Sequence, residues 1–131
     1  MAGRRHISSG GPWEERVGYS RAVVVGDRAW VSGTTGTRPD GTVPEGVAEQ
    51  TSLALDIIEG ALREAGGSLA DVVAARVYVT RIEEWEAVTE TTRPRLGVAR
   101  PAMTLVQVAG LLLPAHRVEI EVEAVIGSSG S

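Results

Sequence analysis

Residues 21–33 read RAVVVGDRAWVSG. Two β-branched runs flank Gly26-Asp27, and a Gly-Asp pair in that setting marks a tight hairpin, because glycine accepts the positive φ such turns demand. The stretch therefore predicts two antiparallel strands joined by a very short turn. Working outward, residues 34–43 (TTGTRPDGTV) have the Gly, Thr, Pro and Asp content of a loop. Pro44 is expected to open a helix, where its fixed φ and missing N–H do no harm. Val47, Ala54, Ile57, Ile58, Ala61, Leu62 and Ala65 give that helix one apolar face. Gly66-Gly67 should end it.

Asp71 leads into DVVAARVYVT, a β-branched run predicted as a strand ending near Thr80. Ile82 to about Thr92 reads as a second helix, with Trp85 and Val88 three apart and Pro94 ending or kinking it. AMTLVQVAG and VEIEVEAV are two further strands, separated by a loop carrying Pro114. The order is β-β-α-β-α-β-β, an α/β (α+β) domain with a single mixed sheet. Right-handed crossovers place both helices on one face of it. Residues 1–126 form one domain, and the Gly/Ser tail 127–131 is expected to be disordered.

Helices on one face leave the other face bare. Along 72–80, Val73, Ala75, Val77 and Val79 oppose Val72, Ala74 and Tyr78; in the next strand Leu105 and Ala109 oppose Thr104, Val106 and Val108. Strands apolar on both faces are buried on both. A second subunit should therefore cover the bare side, since large apolar patches are uncommon on monomers. A greasy solvent face is the plainer alternative.

Composition excludes several function classes. The chain has no cysteine, which removes disulfides, thiolate nucleophiles and Cys-ligated metals. His6 and His116 lie far apart, so no metal site is expected. Net charge is −4 with scattered basic residues, which argues against a nucleic-acid surface. No run is long or apolar enough for a membrane span, and Met1–Gly11 lacks a secretory h-region, so the expected address is cytoplasmic. Signatures such as GxSxG, HExxH, CxxC and GK[ST] are missing. Glu119, Glu121 and Glu123, at spacing two, share one strand face opposite Val118, Ile120 and Val122. They make either a solvated face or, at a subunit boundary, a site where one carboxyl has a raised pKa suited to acid–base work.

VGYSRAVVVGDRAWVSGTTG, DGTVP, AEQTSLALDIIEGALREAG, DVVAARVYVT and the closing RPAMTLVQVAGLLLPAHRVEIEVEAV resemble the reactive intermediate deaminase (RidA/YjgF-like) family from about residue 17 to 126. The resemblance implies a fold like that of the bacillus-type chorismate mutase, a homotrimer with clefts between subunits. It also implies metal-free and cofactor-free hydrolysis of 2-imino or enamine acids to 2-oxo acids and ammonia.

Carried over by position, the family's pocket tyrosine falls on Tyr19, its Ser-Gly on Ser32-Gly33, and its catalytic glutamate on Glu121 if the preceding loop holds an extra residue. The arginine that clamps the substrate carboxylate does not carry over, because Met103 stands in its place. Methionine has no donor with which to grip a carboxylate. Either the substrate is not a simple 2-imino acid, or Arg100 or Arg38 enters the pocket, or turnover is lost; the first is preferred. The expected protein is a cytosolic homotrimer that binds a small organic metabolite. Glu121 moves protons, Tyr19, Ser32 and Gly33 orient the ligand, Arg100 assists, and Met103 shapes an apolar wall. A non-catalytic metabolite sensor is the alternative.

Overall fold

The computed structural model describes residues 3–130. The hairpin forms as expected: β2 (Ala22–Val25) pairs antiparallel with β3 (Arg28–Thr35), with Ala22 opposite Val31. Gly26 takes φ 61°, the left-handed conformation the turn needs. β4 (Val72–Val79) and β6 (Val118–Val125) lie close to their predicted limits, and β5 (Ala102–Gln107) stops short of Gly110. Helix α2 (Val47–Glu64) joins β3 to β4, and α3 (Trp85–Leu96) joins β4 to its parallel neighbour β5.

Two elements go beyond the expectation. A strand β1 (Arg4–Ile7) pairs with β2, and a short helix α1 (Pro12–Val17) follows it. Among the described residues the sheet thus has six strands in the order β1-β2-β3-β6-β4-β5, mixed in sense, with three α-helices. The α+β class holds.

Helix limits differ in detail. Helix α2 begins at Val47 behind Gly46, so Pro44 precedes the helix instead of opening it. Pro94 sits inside α3, which continues to Leu96. It falls in the last turn on the exposed side, where the carbonyl its missing N–H deprives, that of exposed Glu90, can turn to water, and Gly97 N–H closes the turn on Arg93 O at 2.7 Å. The tail is not free along its described length. Ser128–Gly130 form a 3₁₀ turn, and the buried Asp71 carboxylate accepts N–H bonds from Gly127 (3.2 Å) and Ser129 (3.4 Å). Ser131 lies outside the described residues.

The core lies between the sheet and α2. Leu55, Ile58 and Leu62 are fully buried against Ala29, Val31, Val77, Ile120 and Val122. Burial of each such side chain is worth about 1.5–3 kcal/mol. Alternation in β4 breaks at its start: register shifts between Val72 and Ala74, so Val72 turns inward and Val73 is exposed, contrary to simple periodicity. Beyond that bulge Ala75, Val77 and Val79 face the helices, while Arg76 and Tyr78 face the bare side. That side also carries Trp30, Val106 and the three glutamates of β6, all partly exposed within one chain.

Candidate functional site

The site grows out of an irregularity in β3. Val31 pairs with Val122 and Thr34 with Ile120, so Ser32 and Gly33 together stand opposite Glu121 alone. This bulge bends the strand and re-aims its backbone. Gly33 consequently sits beneath the side chain of Glu119. A Cβ placed on Gly33 would lie 2.9 Å from Glu119 Oε2 and 3.0 Å from its Cδ. Any larger side chain here would push that carboxyl aside.

Beside the bulge lies a buried arginine. Arg21, immediately before β2, is 7% exposed. Its Nη1 donates to Gly33 O (2.9 Å), Thr34 Oγ1 (2.6 Å) and, at 3.4 Å, Ser32 O. Nη2 donates to Tyr19 Oη at 3.2 Å, and the guanidinium lies 5.4 Å from the Tyr19 ring centroid, a cation–π distance. The Nε group has no hydrogen-bond acceptor and stands 3.8 Å from Glu14 Oε2. Ser32 Oγ donates to Ser20 O at 2.7 Å, which closes the mouth of the hairpin.

Glu14, from α1, is the counter-ion of this arginine. Its carboxylate also accepts the Ser9 N–H (3.2 Å) and the Ser9 hydroxyl. Burial alone would raise its pKa, but hydrogen bonds from Ser9 and Ser8 and the Arg21 charge together hold it below the ordinary value. Glu119 shows the reverse balance. Burial pushes its carboxyl up, the Arg21 charge opposes this, and neighbouring Glu121 adds to the rise. Glu121 itself accepts a 2.5 Å hydrogen bond from Tyr78 Oη, and that bond, with burial, raises the phenol's pKa.

Tyr19, Ser32 and Gly33 therefore come together as the sequence suggests, and the carboxyl over them is Glu119. Glu121 lies on the same face one pleat further along β6, opposite Arg76 and bonded by Tyr78. Met103 aligns with Ala75, whose side chain points into the helix layer, so it shares that face and not the face of Glu121. Arg100 is an exposed residue with φ 49° between α3 and β5. Arg38 is exposed in the turn it makes with Thr42. Neither belongs to the cluster around Arg21. Sequence reasoning missed Arg21 and Glu14; a charged residue abutting AVVV was the available signal for the first. Among the described residues no group of three or more His, Asp or Glu side chains is placed to hold a metal ion.

A family model described as Endoribonuclease L-PSP matches residues 13–126. The chain belongs to this family, that of the YjgF/UK114 and reactive intermediate deaminase proteins. The uncharacterized protein SCO2049 of Streptomyces coelicolor is 36% identical over 128 residues, covering 97% of this chain and 96% of that protein. A 2-iminobutanoate/2-iminopropanoate deaminase of Bos taurus is 37% identical over 111 residues, 83% of this chain and 80% of that one. The crystal structure of Rv2704 from Mycobacterium tuberculosis, a member of the YjgF/YER057c/UK114 family, superposes with a TM-score of 0.88 at 44% identity, covering 95% and 100% of the two chains. Some family members are thus imine deaminases.

Proposed function

We propose that this protein is a metal-independent hydrolase of imines, enamines or related reactive metabolites, with its pocket completed by a neighbouring subunit of a homotrimer. The observation that carries this reading is the Glu119 carboxyl held over Gly33 beside a buried Arg21. The catalytic part assigned from sequence to Glu121 passes to Glu119, because Glu119 is the carboxyl that meets the Ser32-Gly33 bulge. Glu121 becomes a neighbour that raises the pKa of Glu119.

The chemistry follows from the donors and acceptors. The Gly33 carbonyl accepts from Arg21, and a carbonyl oxygen has a second lone pair with which to hold a water. Ionised Glu119 takes a proton from that water as its oxygen bonds to the C=N carbon. The nitrogen gains that proton, and as the C–N bond breaks the carbinolamine hydroxyl yields its own proton through Glu119 to the nitrogen, so ammonia leaves a carbonyl product. A carboxyl with a raised pKa is suited to both the acceptance and the return. Tyr19 and Ser32 orient the ligand.

The bare sheet face supports the oligomer: Trp30 (37% exposed) and Val106 (41%) share it with the β6 glutamates. No helix among the described residues is long and apolar enough to cross a membrane. A cytosolic address remains the reading of the sequence. Net charge of −4 supports a metabolite over RNA. The rival reading is a binder without turnover. Ammonia release from freshly generated imines, above the spontaneous rate, separates the two. Wild-type protein should accelerate release and Glu119→Gln should reduce it about 10²-fold, within the usual worth of a general base. Equal rates with and without wild-type protein would leave the binder.

A further inference from the structure

At the end of the sheet where β4 and β5 finish and β6 begins lies a cavity of about 440 Å³. Thr80 and Arg81, just after β4, form one wall; the loop 109–114 forms the other, and His116 lines the cavity as well. It shares no lining residue with the Arg21 cluster. Its volume is in the range of roughly 300–1,000 Å³ typical of small-molecule sites. Hydrogen bonds fix the frame. Val108 N–H donates to Val79 O at 2.8 Å, and Thr80 N–H donates to Arg117 O at 3.1 Å. Gln50, 1% exposed on α2, donates to Ala115 O at 3.0 Å and accepts the Arg117 N–H at 2.9 Å. His116 is thereby pinned on both sides.

Within this frame donors are left over. Among the described residues Arg81 makes no ion pair or side-chain hydrogen bond, and the Thr80 hydroxyl has no partner either. The N–H groups of Gly110, Leu111, Leu112 and Leu113 find no acceptor among those residues. His116 is 3% exposed, with Nε2 at 3.0 Å from Thr37 Oγ1 and Nδ1 unpartnered. A buried polar atom without a partner calls for one. When Nε2 accepts from the Thr37 hydroxyl, Nδ1 carries the ring proton and is one more donor. No carboxylate lines the cavity, and the rest of its wall is apolar, from Leu111 to Pro114.

We propose that this cavity binds a small organic acid, its carboxylate held by Arg81, Thr80 and the loop amides and its hydrocarbon chain laid on the leucines. The planar guanidinium can grip a carboxylate through two parallel N–H···O bonds. A single cation among neutral donors suits a monoanion. The leucine wall rewards an apolar chain, which inorganic phosphate does not have. The site stands apart from Glu119 and Gly33, and the inference goes beyond the hydrolase reading without resting on it.

The test uses the intact protein. Calorimetry measures propanoate, butanoate and hexanoate, with hexylammonium and inorganic phosphate as contrasts, and amide NMR follows a hexanoate titration. Hexanoate should bind, and affinity should rise by up to about fourfold per added methylene. Hexylammonium and phosphate should bind more weakly than hexanoate. Amide shifts should concentrate at Thr80 and residues 109–113 and spare Gly33. Arg81→Gln should weaken hexanoate about tenfold, and Arg81→Lys, which keeps the charge without the fork, should fall between. Because Arg81 is exposed and unpaired, neither variant should move the urea midpoint. No binding of hexanoate overturns the inference, as do shifts centred on Gly33 and Glu119, tighter binding of phosphate or hexylammonium, or an unchanged Kd in Arg81→Gln. None of these measurements reads imine turnover, so the hydrolase reading stands or falls separately.

Discussion

Replacing Arg21 by methionine removes the charge and the donors while keeping an unbranched apolar stem of similar reach. The side chain is 7% exposed, so its partners have little water to turn to. Breaking a buried ion pair from one side typically costs about 3–5 kcal/mol. Glu14 keeps its Ser9 donors, which moderates that term. The Gly33 and Ser32 carbonyls and Thr34 Oγ1 lose donors, and a buried acceptor left unsatisfied costs about 1–3 kcal/mol. Arg21→Met should therefore destabilise by about 3–4 kcal/mol. Glu14→Gln should cost about 1 kcal/mol, because an amide oxygen can still accept from Ser9. Since the two residues face each other, the double variant should lose about 1–2 kcal/mol less than the sum. The assay is urea unfolding at one fixed protomer concentration, because assembly adds to apparent stability. A loss below about 1 kcal/mol for Arg21→Met would show a solvated guanidinium with donors to spare. That result would refute the burial argument.

Two further outcomes follow from the same geometry. His116 is 3% exposed, with Nε2 at 3.0 Å from Thr37 Oγ1 and Nδ1 without a partner, and burial lowers its pKa. The unfolded chain then binds more protons, so this contribution is complete above the ordinary value of 6.5 and is lost as pH falls below it. Glu119, with its pKa raised, acts in the opposite sense, so the effect should be read as the difference in urea midpoint between wild type and His116→Gln from pH 7.5 to 5; a constant difference would contradict it. Gly33→Ala should leave stability within about 1 kcal/mol, because the clash is with the end of a flexible glutamate. Glu119 must still retreat by about 0.5 Å to restore ordinary contact, and catalytic misplacement on that scale costs about tenfold in turnover; an unchanged kcat for imine hydrolysis would count against Glu119.

The strands and the long helix were legible because their cores obey a period. AVVV, VVAARVYV and VEIEVEAV show the β-branched enrichment of sheet elements, and the α2 face repeats at helical spacing. RRHI and PWEERV did not announce themselves. The first is a charged edge strand that exists only through its pairing with β2, and the second is too short at six residues to display a helical period. Pro94 was read as a breaker from its type, whereas its place in the last exposed turn decides the outcome. Nothing in GSSGS shows that Asp71, 56 residues upstream of Gly127, will hold that tail.

The site was half legible for a related reason. Alternation places Glu119, Glu121 and Glu123 on one face and cannot rank them, since all three satisfy the same period. What sets their surroundings apart is the bulge at Ser32-Gly33, a two-against-one mismatch that exists only once β3 and β6 are paired. Arg21 is subtler still. An arginine beside a hairpin strand ordinarily reads as a solvated end, and its burial depends on Glu14 arriving from a helix that left no periodic trace. That contact exists only in the folded chain.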